Sequence, residues 1–527
     1  MRLARRGFGV VLVSAALLLT AQPALAAPAS AAAGITWKPC KEDRTAECGT
    51  LRVPVNWAKP HGAMFDLAVA RRKATAPAKR IGTLFINPGG PGGSGVDFAL
   101  GAAGYFSPEL RQRFDIIGFD PRGVARSHPV VCTADLLAKM PSQVLNSQAD
   151  FDRLVAFNRT LGKDCRKQTG PLFDHVDTLG VVRDMDALRV ALGEKKINYY
   201  GVSYGTLIGQ QYAERFPKNF RALVIDSNMD HSLGTRRFLE TETVTDEANF
   251  REFVKWCARD TRCALRKQGA DRAWDALVAK ADRGQLRDPA SGQKLTAFDL
   301  SSNALGAFYG PDWKGLADWL ASLQSGKPAK SPLSPARISR AGAVPSRAGA
   351  VPSRAGAAPE LAENPIAVFC EDWRFQIRDY REAAAYWAKA KRLAPHMRMS
   401  PIAWGVGTSC LGFGAPLNNP QHPLKVRGAA PILMTNALYD PATGYNWAVN
   451  ASRQLGRAST LLTYEGWGHG TYGRGPCTTG VTDRYLVDRV LPARGSRCPA
   501  VPPVFEPGAR SAQAPAVPSG SLPWVRS

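Results

Sequence analysis

The sequence predicts an α/β fold: a mostly parallel sheet flanked by helices, with a helical cap inserted before the last strands. Three observations carry this prediction. From about Leu51 to Asn228, short apolar runs alternate with stretches of helical apolar spacing, the pattern of a parallel sheet covered on both faces. Beyond Asn228, strand character gives way to amphipathic helices. It returns at Pro431–Asn436 and Ser459–Tyr464, each followed by a polar, glycine-bearing loop.

Residues 1–26 read as a secretion signal, with Arg2, Arg5 and Arg6 ahead of the apolar run Val10–Leu19 and the small-residue cleavage site Ala24-Leu25-Ala26. That run is too short to span a bilayer, and no later stretch is long and apolar enough. A secreted, extracellular protein is expected, by general or twin-arginine export. Residues 36–228 read as the first part of the core. Its strand candidates are Phe65–Ala70, Gly82–Asn87, Phe114–Phe119, Lys196–Tyr200 and Ala222–Asp226, and Val176–Leu192 reads as the helix before the fourth of these. Residues 229–400 read as a helical cap, with helices over Glu240–Cys263, Ala270–Ala281 and Trp313–Leu323. Within it, 327–359 is a low-complexity linker in which Ser-Arg-Ala-Gly-Ala-Val-Pro starts at Ser339 and Ser346, with a variant at Ser353. Its seven-residue period makes no coiled coil, because each unit holds a glycine and a proline. Residues 401–498 complete the core, and 499–527 read as a disordered, Pro/Ala-rich tail.

Composition excludes several functions. The formal charge is +24, or +21 without the signal arginines. The basic residues are scattered, with no basic helix and no aromatics interleaved, which points to a solvated surface and away from nucleic acid. Ten cysteines suit an oxidising compartment. They fall as chain neighbours, Cys40 and Cys48, Cys132 and Cys165, Cys257 and Cys263, Cys370 and Cys410, Cys477 and Cys498, so pairing within neighbours is the expectation among the many schemes that sequence leaves open. No spacing is a CxxC pair, and neither metal nor cofactor is expected. Nothing in the sequence fixes an oligomeric state, and a monomer is the expectation.

The chemistry is concentrated in Gly201-Val202-Ser203-Tyr204-Gly205, set between a strand and a helix. A serine on so tight a turn exposes its hydroxyl, and glycines two positions away on either side leave room for the crossing strand and helix. A serine hydroxyl needs a base, and the base needs an orienter. On such folds they follow the serine in the order acid, then histidine. Asp440 lies beyond the strand ending at Asn436, and His469 lies in Gly468-His469-Gly470 beyond the next strand. With only seven histidines in the chain, one at the required place carries weight. Ser203 is therefore the expected nucleophile, Asp440 the orienting acid and His469 the general base and acid. The oxyanion requires fixed N–H donors, expected from Tyr204 and from Gly90 in the loop Asn87-Pro88-Gly89-Gly90-Pro91-Gly92-Gly93. That loop lacks the Gly-Lys-Ser/Thr of a phosphate cradle.

Pro88-Gly89-Gly90-Pro91-Gly92 is similar to the glycine loop of prolyl aminopeptidases, and Gly118-Phe119-Asp120-Pro121-Arg122-Gly123-Val124-Ala125-Arg126-Ser127 resembles their Asp-x-Arg-Gly-x-Gly-x-Ser segment, with Ala125 in place of a glycine. Together with Gly-x-Ser-Tyr-Gly-Thr and the late Asp and His, the chain most resembles the secreted actinomycete tripeptidyl aminopeptidases, from about Thr36 to Cys498. The resemblance implies an α/β-hydrolase with a helical cap that acts on peptide or protein substrates and releases short N-terminal peptides through an acyl-enzyme. It also implies an acidic anchor for the substrate's free amine, for which Glu371 and Asp372 are the candidates. The alternatives are an esterase or lipase on the same fold, or a non-catalytic protein that binds cell-wall material through its basic surface.

Overall fold

The run Gly82–Asn87 is buried along its whole length, as is Ile197–Val202, so both strands must be covered on two faces. The computed structural model describes residues 34–328 and 359–503. The expected secretion signal, nearly all of the low-complexity linker and the tail from residue 504 lie outside the described residues.

Among the described residues the strands are, in chain order, β1 (Lys38–Pro39), β2 (Glu47–Pro54), β3 (Met64–Arg72), β4 (Gly82–Asn87), β5 (Phe114–Phe119), β6 (Val131–Thr133), β7 (Ile197–Val202), β8 (Phe220–Asp226), β9 (Leu361–Glu363), β10 (Ile432–Tyr439), β11 (Ser459–Trp467) and β12 (Arg497–Cys498). Ten of them form one sheet in the order β1-β2-β3-β5-β4-β7-β8-β10-β11-β12, while β6 and β9 pair separately. Pairing is antiparallel from β1 to β5 and parallel from β5 to β12. The side-chain period of two builds two cores: Phe85, Ile117, Tyr199 and Leu223 pack on one face, and Leu84, Ile86, Ile116, Tyr200 and Val224 on the other.

The chain leaves the sheet after β8 for the helices Thr235–Arg259, Ala270–Asp282, Ala297–Tyr309 and Trp313–Ser325, which bury a core of their own around Phe250, Trp274, Leu300 and Leu316. Helices Ile366–Asp372, Tyr380–Leu393 and Pro401–Ser409 follow, and the sheet resumes only at β10. The helical stretch therefore continues past residue 400. Pro401–Ser409 is apolar all round because it is buried on every side, and that hid its helical period. All five disulfides join chain neighbours: Cys40–Cys48, Cys132–Cys165, Cys257–Cys263, Cys370–Cys410 and Cys477–Cys498. Among the described residues no helix is long and apolar enough to cross a membrane, and no group of acidic, His and Cys side chains could hold a metal ion.

Candidate active site

Ser203 sits between the C-terminal end of β7 and the helix Tyr204–Arg215, with a left-handed φ of 58°. A non-glycine residue holds this conformation only where its surroundings enforce it. Here the Ser203 amide donates to the Asp226 carbonyl at 3.0 Å, and the Ser203 carbonyl accepts from the Thr206 amide at 2.8 Å. The flanking glycines are steric requirements. A Cβ on Gly201 would lie 2.5 Å from the Gly205 carbonyl oxygen, and one on Gly205 would lie 2.8 Å from Asn87 Oδ1.

The glycine loop after β4 lies directly against this turn. A Cβ on Gly89 would sit 2.8 Å from Ser203 Cβ and 2.9 Å from the Tyr204 nitrogen. The Tyr204 amide opens a helix and so has no intrahelical acceptor. Gly90, at φ 112°, is the next residue of the loop. The end of the loop is fastened by Asp120, whose carboxylate accepts the Ser94 hydroxyl and the Val96 amide. Two residues on, Arg122 is a buried strut, bidentate to Asp184 and donating to the carbonyls of Pro54, Val55 and His175.

His469 Nδ1 lies 2.9 Å from Asp440 Oδ1, and that oxygen also accepts the amides of Ala442 and Thr443. Burial pushes the Asp440 carboxyl up, but the charge of His469 and the hydrogen bond to it outweigh burial and hold it below its ordinary range. The histidine loop hangs from the end of β8, the same place that holds the Ser203 amide. The Asp226 carboxylate accepts the amides of Thr471 and Tyr472, and Ser227 Oγ accepts the Gly470 amide. The cap holds it from the other side. The carbonyl of Tyr309, last residue of the helix Ala297–Tyr309, accepts from the His469 amide at 2.9 Å and from the buried Arg474 at 3.0 Å. Arg474 also donates to the carbonyls of His469 and Gly470.

Glu371 and Asp372, the candidates for an amine anchor, are occupied by the protein itself. Glu371 Oε2 accepts the amides of Val176 and Asp177 and the Asn418 side chain. Asp372 accepts the Thr178 amide and hydroxyl, the Asn419 amide group and the Tyr204 hydroxyl. Of their four carboxylate oxygens, Glu371 Oε1 alone is buried without a partner among the described residues. Burial, with the charge of Asp177, raises the Asp372 carboxyl to about 7, and burial raises Glu371 well above its ordinary value. Both side chains accept backbone N–H groups at the start of the helix Thr178–Ala191, those of Val176, Asp177 and Thr178.

Sequence reasoning passed over a second acidic pair. Glu242 and Asp246 lie one turn apart on the cap helix Thr235–Arg259 and are wholly buried. None of their four carboxylate oxygens has a hydrogen-bond partner among the described residues. The Gly444 amide faces Glu242 and the Ser400 hydroxyl faces Asp246, short of standard hydrogen-bond geometry. Among the described residues no cation is paired with them, and burial raises both carboxyls well above their ordinary values, helped at Glu242 by the charges of Asp246 and Asp440. The helix runs tight against the Asp440 loop, since a Cβ on Gly444 would lie 2.3 Å from Thr245 Oγ1. One signal could have found the pair: with Phe238, Asn249, Phe250 and Phe253, these acids occupy the apolar stripe of the helix, where carboxylates are out of place.

The architecture sets the class, an α/β-hydrolase with a helical cap. The chain belongs to the alpha/beta hydrolase fold family, which its residues 82–476 match. It is 30% identical to the serine protease Hip1 of Mycobacterium tuberculosis over 91% of this chain and 92% of that protein. It is 30% identical to the tripeptidyl aminopeptidase of Streptomyces lividans over 90% of this chain and 88% of that one. Carboxylesterase B of Mycobacterium tuberculosis is 31% identical over 94% of this chain and 98% of its own length. The coarse activity is that of a serine hydrolase.

Proposed function

We propose that this protein is an exported serine aminopeptidase that removes short peptides, of the tripeptidyl type, from the N-termini of peptide or protein substrates. In this reading Ser203 Oγ attacks the scissile carbonyl while His469 Nε2 takes its proton. Asp440 holds the His469 Nδ1 proton and stabilises the imidazolium. The N–H groups of Tyr204 and Gly90 receive the oxyanion. His469 then protonates the departing amine, and a water, activated by the same imidazole, releases the short peptide from Ser203. The Tyr309 carbonyl of the cap holds the His469 loop, and the five disulfides and the signal-like N-terminus support export.

The observation that carries the aminopeptidase reading is the pair Glu242 and Asp246. Two buried carboxyls whose facing donors, the Gly444 amide and the Ser400 hydroxyl, fall short of standard hydrogen-bond geometry are costly to keep ionised, and a substrate α-ammonium supplies both charge and three donors. The amine anchor expected at Glu371 and Asp372 is therefore assigned to Glu242 and Asp246. An esterase is the second reading, favoured by the similarity to carboxylesterase B. A tripeptide amide and its N-acetylated twin separate the two. The wild type should cleave the free amine at least tenfold faster in kcat/KM, and Glu242→Gln or Asp246→Asn should reduce that preference by about 10- to 100-fold, the value of a charge-assisted hydrogen bond. Equal cleavage of both peptides by the wild type makes the esterase or endopeptidase reading the better one.

A further inference from the structure

The helix Ile366–Asp372 touches both halves of the proposed oxyanion hole. At its start Pro365 packs on the glycine loop, so closely that a Cβ on Gly92 would lie 2.6 Å from Pro365 Cγ. Along its length Phe369 meets the Tyr204 ring edge-on at 4.9 Å. At its end the Asp372 carboxylate accepts the Tyr204 hydroxyl. Tyr204 follows the proposed nucleophile directly, and its ring is buried. Its side chain therefore grips the first turn of the helix Tyr204–Arg215, whose leading N–H is a proposed oxyanion donor.

The grip extends further. Asn419, which donates to Asp372, exchanges two hydrogen bonds with Gln211 on that same helix, each 3.1 Å long, and its own amide donates to the Glu371 carbonyl. The short helix is itself fixed at several points. Cys370 is bonded to Cys410, the Asn364 amide donates to the Val130 carbonyl, and the Asp372 carbonyl lies 2.7 Å from His231 Nε2. Asp372 accepts four donors and offers none.

We propose that the helix Ile366–Asp372 is the brace of the oxyanion hole, with Asp372 and the Tyr204 hydroxyl as positioning residues that hold the Tyr204 amide and the glycine loop in register. The proposal rests on Ser203 as nucleophile and is independent of whether the substrate is a peptide or an ester. A brace of this kind acts on the transition state, because it aims donors at charge that develops only there. Its loss should lower kcat and leave ground-state binding alone.

The test uses the mature, disulfide-bonded protein with p-nitrophenyl acetate as substrate and phenylboronic acid as a tetrahedral mimic. Tyr204→Phe keeps the ring and removes only the hydroxyl, and Asp372→Asn keeps the shape and removes the charge. Each should lower kcat and boronate affinity together by about tenfold, with KM within twofold of the wild type. The double variant should be no worse than the poorer single one, as two ends of one hydrogen bond require. If Asp372→Asn fails to fold, Tyr204→Phe alone decides. Folded variants with kcat and boronate affinity within twofold of the wild type overturn the brace, and so does a rise in KM at unchanged kcat. A fluorophosphonate probe separates the two layers of the argument. Labelling at Ser203 in the wild type with unaffected variants overturns the brace alone, whereas no labelling at Ser203 overturns the nucleophile and the brace with it.

Discussion

Glu371 with Asp372, and Glu242 with Asp246, are both acidic pairs with essentially no exposure, and both lie in the helical part of the chain. The first pair draws seven protein donors, three at Glu371 and four at Asp372. Among the described residues the second draws none in standard hydrogen-bond geometry. A buried carboxylate surrounded by backbone amides and hydroxyls is part of the scaffold, because its desolvation is offset inside the fold. One left unpaired is held at a cost by the rest of the structure, and the proposed amine site beside the loop carrying Asp440 rests on that cost. Residue type and burial do not tell the two pairs apart here. The donor count does.

Three measurements break or sharpen this contrast. The largest effect lies outside both pairs and fixes the centre against which they are placed. Ser203→Ala should abolish fluorophosphonate labelling and lower turnover by on the order of 10⁶-fold, with an unchanged melting temperature. A labelled alanine variant breaks the whole assignment.

Next comes the scaffold pair. Glu371→Ala strands the amides of Val176 and Asp177, and leaving buried donors unmade should cost roughly 2–4 kcal/mol and lower the melting temperature by on the order of 5 °C. A shift below about 1 °C by calorimetry would show that the donor count misjudges this pair.

The smallest effect belongs to the site pair and has the opposite sign. Burial raises the Glu242 and Asp246 carboxyls above their unfolded values, so between the unfolded and folded values the native state binds more protons than the unfolded chain. Their contribution to stability is therefore present at low pH and is lost as pH climbs from about 4 through the raised native values. Neutral Glu242→Gln and Asp246→Asn variants escape this loss. Their melting temperature minus that of the wild type should grow between about pH 5 and pH 8, by about 1 kcal/mol or more in stability. His231, which burial pulls down to about 4, titrates alike in both proteins and cancels from the difference. A difference that shrinks with rising pH would mean that the pair is paired in solution.

Much of this molecule was legible in its sequence. The strands β3, β4, β5, β7, β8, β10 and β11 fall where apolar runs place them. The expected helices differ from the observed ones chiefly at their ends, and the early start of Thr235–Arg259 reflects packing that exposed-face residues do not signal. The helix Gln148–Thr169 was overlooked because its polar face hid a narrow stripe of Phe151, Leu154, Leu161 and Cys165. The Asp440–His469 contact lies where chain order placed it. The clamp on His469 was not legible, because the Tyr309 carbonyl is a backbone atom on a distant helix and carries no residue signature.

By itself the sequence determined what short-range physics controls: the alternation of strands and helices, the glycines that let Ser203 occupy a left-handed turn, and the spacing of the cysteines that made neighbour pairing the expectation. Each depends on residues a few positions apart, or on a loop short enough to close at low entropic cost. Only the tertiary structure decided which buried acids are satisfied. The donors to Glu371 and Asp372 lie more than 150 positions away, at Val176, Asp177, Thr178 and Tyr204, or arrive across the Cys370–Cys410 loop from Asn418 and Asn419. Glu242 and Asp246 have the same chemistry and were brought to a place where, among the described residues, no donor reaches standard hydrogen-bond geometry. A carboxylate's partners are set by where the whole chain converges, and no local pattern carries that information.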